Sequence, residues 1–304
     1  MKTNISLILI LCLLLGACKN GNASSQSKSE TPQDTIKAIK MPAIPQMMTA
    51  PEQRADFLAK HYWDNVNFAD TNYIHHPEVT EQAWADYCDL LNHVPLETAQ
   101  QAMRNVIDRT NVDKKVFTYI TDLADKYLYD PNSPMRNEEF YIPVLEAMIA
   151  SPVLNETEKI RPQARLKLAQ KNRIGTKALN FTYTLASGAQ GSLYQLKAEY
   201  LLLFINNPGC QACTETIEGL KNAPIINQLL QEKKLVLLSI YPDEELDEWK
   251  KHLSEFPNEW INGYDKKFTI KEEQVYDLKA IPTLYLLDKD KTVLLKDATA
   301  PAIE

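Results

Sequence analysis

The chain has 304 residues, of which 44% are hydrophobic and 24% charged, an ordinary globular balance with length enough for two domains that each bury a core. Its formal net charge is -7 and it holds no long basic run, which excludes nucleic acid as a partner because nothing is placed to displace counterions from a phosphate backbone. Glycine is scarce beside proline, so many turns must rest on Pro, Asn and Asp.

The first element is an export signal. Met1-Lys2 opens a short basic region and Ile5 to Leu15 is an almost unbroken apolar run, too short to span a bilayer as a helix. Leu15-Gly16-Ala17-Cys18 closes it and resembles a bacterial lipobox, which implies cleavage after residue 17 and lipid on the Cys18 thiol. An ordinary signal peptide cut at a small-residue site, or a plain membrane stub, are the alternatives. Lipidation implies a protein anchored at the cell envelope, on the periplasmic side of the inner or outer membrane, since several acyl chains at about 0.8 kcal/mol per buried methylene make a stable anchor. Residues 18–48 are polar, with a Met41-Pro42-Ala43-Ile44-Pro45 stretch, and read as a flexible tether.

Residues 49–175 carry helical periodicity. Phe57, Leu58, Tyr62 and Val66 recur at helix spacing, as do Val116, Phe117, Ile120, Leu123, Tyr127 and Leu128. Pro95, Pro131, Pro134 and Pro152 punctuate the pattern, and Asn155-Glu156-Thr157-Glu158 reads as a helix start with acids near the positive dipole end. Five or six helices in a small all-α bundle are expected. Cys88 shares a stripe with Trp84, Tyr87 and Leu91 and reads as a buried core thiol. The adjacent His75 and His76 read as a polar loop.

In residues 176–304 the period changes. Asn180 to Thr184 alternates and Ser187 to Gly191 supplies a turn; Tyr200 to Asn206 and Leu235 to Tyr241 are apolar runs of buried-strand length. A helix is expected from Cys210, a short second one at Pro224, and an amphipathic helix marked by Leu246, Trp249, Leu253 and Phe256. Thr283–Asp288 and Thr292–Lys296 flank Lys289-Asp290-Lys291 as a hairpin. Strands that alternate with helices and end on an antiparallel pair predict an α/β fold, a mixed sheet flanked by helices.

Five cysteines are present. Cys12 leaves with the signal and Cys18 is the lipidation site, so Cys88, Cys210 and Cys213 remain. The string Asn206-Asn207-Pro208-Gly209-Cys210-Gln211-Ala212-Cys213 falls where a buried strand ends and a helix begins. A cysteine at a helix N-terminus faces unpaired N–H groups and the positive end of the macrodipole, which favour the thiolate, the attacking species. That makes Cys210 the candidate nucleophile and Cys213, three residues on, the resolving thiol of a redox-active disulfide. A structural disulfide closing so small a loop would constrain the unfolded chain little. A zinc half-site needs two further ligands, and His61, His75, His76, His93 and His252 show no second ligand pair, so no metal is expected. No other cofactor is implied, and a protease-like cysteine has no local histidine partner.

These residues resemble the thioredoxin superfamily, in its exported TlpA/ResA-like branch. The resemblance rests on Leu201-Leu202-Leu203-Phe204 leading into Cys210-Gln211-Ala212-Cys213, on Ala280-Ile281-Pro282-Thr283 followed by Leu284 to Asp288, and on a front hairpin from Phe181 to Tyr194. It implies a thioredoxin-like fold, a cis Pro282 facing the dithiol, and an Ile281 backbone that pairs with an extended substrate segment. The helical part, with His61-Tyr62-Trp63-Asp64-Asn65, resembles a domain of unknown function that precedes such domains in lipoproteins of the Bacteroidota; this brings no activity with it. The chain departs from thioredoxin at Gly209, where thioredoxin has Trp, and at Phe204, where it has a buried acid. Glu215 and Glu218 are the nearby candidates for accepting the Cys213 proton, with a solvated helix face as the bland alternative. A peroxidase reading fails because its motif needs Pro at Leu203 or Asn206.

The expectation is a membrane-anchored thiol-disulfide oxidoreductase, a reductase by resemblance to most such relatives with oxidase and isomerase as the alternatives, and with disulfide-containing exported proteins or another envelope redox partner as substrate. The competing expectation is a non-catalytic envelope scaffold whose helical domain contacts a partner.

Overall fold

A computed structural model describes residues 38–303. The signal segment, Cys18 and the first part of the expected tether lie outside the described residues. Among those described, no helix is long and apolar enough to cross a membrane.

The helical part holds α1 (Pro51–His61), α2 (Pro77–Leu91), α3 (Leu96–Arg109), α4 (Lys114–Ala124), α5 (Glu138–Ala150) and α6 (Glu156–Ala169). Their starts follow the chemistry of unpaired N-terminal amides. Pro opens α1 and α2, where its missing N–H costs nothing. The Asp113 carboxylate accepts from two amides of α4, and Asn155 forms a reciprocal capping box with Glu158 at α6. Pro143 sits inside α5 and deprives the Glu139 carbonyl of its helical donor; Gln100 Nε2 fills that role at 3.0 Å from α3. One continuous core, with Trp63, Trp84, Tyr87, Met103, Phe117 and Leu145, lies between the helices. Cys88 is 1% exposed within it.

Two local expectations are corrected here. Ile39 packs against the helical core and Asn65 Nδ2 donates to the Lys40 carbonyl at 2.9 Å, so the expected tether is not free as far as residue 48. His75 ends a 3₁₀ turn, Thr71–His75, instead of lying in a loop.

The second part is built on β1 (Thr182–Leu185), β2 (Gln190–Ser192), β3 (Tyr200–Ile205), β4 (Leu235–Tyr241), β5 (Ile261–Tyr264), β6 (Thr283–Asp288) and β7 (Val293–Lys296). They form one sheet in the order β2-β1-β5-β4-β3-β6-β7, in which β3, β4 and β5 run parallel and the other pairings are antiparallel. The helices are α7 (Gln211–Asn222), α8 (Pro224–Gln231), α9 (Leu246–His252), α10 (Thr269–Glu272) and α11 (Ala300–Ile303). β3 shows why its sequence is apolar throughout: Leu201, Leu203 and Ile205 face one core, while Leu202 and Phe204 face another on the opposite side. A strand covered on both faces has no use for alternation.

α9 is shorter than its apolar spacing predicts. It ends at His252, Leu253 lies in a 3₁₀ turn, and Phe256 follows in extended backbone. β5 has no counterpart in the sequence reading; it joins the front hairpin to the parallel strands.

Candidate active site

The site grows out of the pairing of β3 with β6. These strands run antiparallel with Ile205 opposite Thr283, so the end of one and the start of the other meet at the same end of the sheet. Two loops therefore face each other, Asn206 to Gly209 leading into α7, and Ala280 to Pro282 leading into β6.

The first loop is pinned by its asparagines. The Asn206 backbone N–H donates to the Ile240 carbonyl at 3.0 Å, and its buried amide donates to Ser239 Oγ at 2.8 Å. Asn207 Nδ2 donates to Asp243 Oδ2 at 2.7 Å, and Lys271 holds the other oxygen of Asp243. Gly209 adopts φ +70°, a turn that brings Cys210 to the N-cap of α7. Cys210 Sγ accepts the Cys213 backbone N–H at 3.3 Å.

In the second loop the Ile281–Pro282 peptide bond is cis. Cys210 Sγ lies 3.7 Å from the Ile281 carbonyl oxygen, which accepts its hydrogen bond. Cys210, Cys213, Ile281 and Pro282, the four residues singled out in the sequence, are thus brought into one place. The thiols of Cys210 and Cys213 are free; Cys210 is partly exposed and Cys213 is buried. Burial, helped by the contact with Cys210, pushes the Cys213 thiol up to about 12 against the opposing pull of the Asn207 backbone N–H. Cys210 is thus the cysteine partly open to solvent, and burial holds Cys213 as a neutral thiol.

Glu215 and Glu218 do not reach the dithiol as hydrogen-bond partners. Both are exposed on α7, where Glu215 accepts from Gln211 and Glu218 pairs with Lys221. His61, His76 and His252 bond to neighbouring carboxylates. Among the described residues no group of three His, Cys, Asp or Glu is arranged to hold a metal ion.

Sequence reasoning missed what stands behind the second loop. Lys279, two residues before Ile281, has a side chain only 4% exposed, with Glu138 Oε1 of α5 at 2.6 Å, Asp277 at 3.3 Å and Asp297 at 3.7 Å. Lys296 holds the other oxygen of Glu138, and Arg136 reaches Asp297 at 3.6 Å. Burial alone would lower the Lys279 ammonium, but Glu138, Asp277 and Asp297 outweigh it and raise its pKa. This buried charge cluster joins the helical part to the loop that touches Cys210. Its members lie far apart in sequence, and no local pattern announces such a contact.

A family model described as a domain of unknown function (DUF5106) matches residues 17–172, and one described as thioredoxin-like matches residues 198–293. The crystal structure of a thioredoxin-like protein from Bacteroides caccae is 84% identical with a TM-score of 0.86, covering 88% of this chain and 97% of that one. The C-terminal domain of an uncharacterised protein from Bacteroides fragilis is 70% identical over 43% of this chain and 94% of its own, with a TM-score of 0.43. The thioredoxin domain of a thiol-disulfide oxidoreductase from Bacteroides vulgatus is 21% identical, with a TM-score of 0.38, over 42% of this chain and 89% of its own. No curated protein matches the chain.

Proposed function

The chain belongs to the family of thioredoxin-like proteins that carry the DUF5106 domain on their N-terminal side, and from that premise we propose that it is a thiol-disulfide oxidoreductase that reduces disulfides of exported proteins through Cys210 and Cys213. The observation that carries this reading is the 3.7 Å approach of Cys210 Sγ to the Ile281 carbonyl beside cis-Pro282. A partly exposed cysteine at a helix N-cap, beside the Ile281 backbone, suits attack on a disulfide carried by an extended polypeptide.

The Cys210 thiolate attacks one sulfur of the substrate disulfide. That bond breaks as the Cys210–substrate bond forms, and the departing thiolate takes a proton from water. Cys213 then gives up its proton to solvent and attacks Cys210 Sγ. The mixed disulfide breaks, the second substrate sulfur leaves as a thiolate that takes a proton from solvent, and Cys210–Cys213 is the new disulfide. Two electrons pass to the substrate, and an external dithiol or equivalent reductant returns the protein to its starting state. The Ile281 backbone aligns the substrate segment, and Cys213, held neutral by burial, does not compete for the first attack.

Turnover of insulin with dithiothreitol as reductant tests this. Cys210→Ser is expected to abolish catalysis, and Cys213→Ser to accumulate a mixed disulfide with the substrate. Activity that survives Cys210→Ser ends the proposal. Anchoring at the envelope through lipid on Cys18 belongs to the same proposal and is supported by Leu15-Gly16-Ala17-Cys18. Incorporation of labelled palmitate that disappears in Cys18→Ser is the expected result; equal labelling of both chains removes the anchor from the proposal.

A further inference from the structure

Behind Ile281 a cleft of about 420 Å³ opens between the helical part and the sheet part. Tyr129 and Leu168 line it on the helical side, and Asp243, Lys271, Asp277 and Ile281 are among those lining the other. Ile281 belongs to the cleft and, through its carbonyl, to the surroundings of Cys210 Sγ. A chain that pairs with the Ile281 backbone while presenting a disulfide to Cys210 would thus have this opening beside one of its contact residues.

We infer that the helical part forms one wall of the groove that receives the polypeptide flanking the substrate's disulfide, with Tyr129 and Leu168 as the residues that select it. This rests on the oxidoreductase reading and adds to it a role for the helical part in receiving the substrate chain. α4 does not stop at Ala124 but runs into a π-helical turn, Asp125–Tyr129, whose last residue lines the cleft. Widened turns of this kind are common at functional sites because they re-aim the side chains that follow.

The walls are locked together. Lys171 Nζ donates to the Gln274 carbonyl at 2.6 Å and Asn172 Nδ2 to the Val275 carbonyl at 2.7 Å, while Glu138 holds Lys279. A cleft fixed in advance binds a flexible segment without first having to close on it.

Charge separates a polypeptide from a small anionic disulfide. The two lysines that line the cleft are already engaged, Lys271 with Asp243 and Lys279 with Glu138, Asp277 and Asp297. Lys279 is buried among its carboxylates, and the exposed Lys271 has Asp243 beside it, so neither faces the cleft as an unpaired cation for the carboxylates of a glutathione-like ligand. An aromatic ring, a leucine and neutralised charges suit side chains of an extended polypeptide.

The test compares insulin with 5,5′-dithiobis(2-nitrobenzoate), which reaches Cys210 without docking a polypeptide. Leu168→Trp in the full chain fills the cleft. It is expected to raise the KM for insulin about tenfold with kcat retained, and to leave the rate with the small disulfide within about twofold. Leu168→Ala covers the case in which tryptophan disturbs packing; it is expected to raise the insulin KM in the same direction by less. Insulin kinetics unchanged in both variants, or a parallel fall with both disulfides, overturns the inference while the oxidoreductase reading stands. An unsubstituted chain inert toward both disulfides removes the parent reading and this one with it.

Discussion

At the scale of single residues, Gly209 shows how a departure from the thioredoxin pattern has a local cause. Its φ of +70° lies in the left-handed region, where a Cβ is penalised by its own backbone. Nothing else lies within 4 Å of where that Cβ would stand, so the cost of a side chain there is conformational and not steric. Gly209→Ala is expected to destabilise the chain by about 1–2 kcal/mol, read as a lower urea midpoint, with Gly209→Asn less affected because Asn tolerates this region better. An unchanged midpoint in Gly209→Ala would mean that the loop abandons its turn at no cost. Phe204 is the companion case. It is fully buried in the core beneath α7, edge-on to Trp260 with ring centroids 6.3 Å apart. A carboxylate there would be surrounded by hydrocarbon, so the proton of Cys213 must leave by another route.

At the scale of elements, legibility followed the strength of the local signal. β3 and β4 are runs of buried apolar residues bounded by polar ones, and both are visible in the sequence. The Asn155 cap, the Pro224 start of α8 and the hairpin of β6 with β7 each carry a stop or start signal of known mechanism. β5 carries none. Ile261-Asn262-Gly263-Tyr264 has neither an apolar run nor strand propensity at its centre, and its glycine is explained only by the sheet. A Cβ at Gly263 would stand 2.9 Å from the Tyr183 ring and 3.3 Å from the Thr184 carbonyl, so the neighbouring strand occupies that space. The site divides the same way. Cys210, Cys213, Ile281 and Pro282 were legible because motif and strand boundaries coincide there. Tyr129, Leu168 and Glu138 were not, because what places them is packing between segments distant along the chain.

At the scale of the whole molecule, the buried cluster around Lys279 decides whether the helical part and the sheet part behave as one body. Burying charges is costly, and the cost is offset only while every charge keeps a partner. Glu138→Gln leaves Lys279 and Lys296 short of a counter-charge inside the protein. The expected loss is about 3 kcal/mol, the lower end of the range for breaking a buried pair, because Asp277 and Asp297 remain. Its pH dependence has a definite sign. The folded-state pKa of Lys279 is raised above 10.5, so the contribution of this ammonium is fully present below 10.5 and is lost as pH climbs through the folded value. Without Glu138 the rise is smaller and so is the loss. Urea unfolding followed from neutral pH to above 10.5 should therefore show a gap between the two chains that narrows with rising pH. A constant gap would place the effect of Glu138 in packing and not in its charge. The same substitution bears on the site, since Lys279 is two residues from Ile281. With its anchor weakened, the loop beside Cys210 is freer to move, and protein substrates that align on it should be affected before small disulfides are.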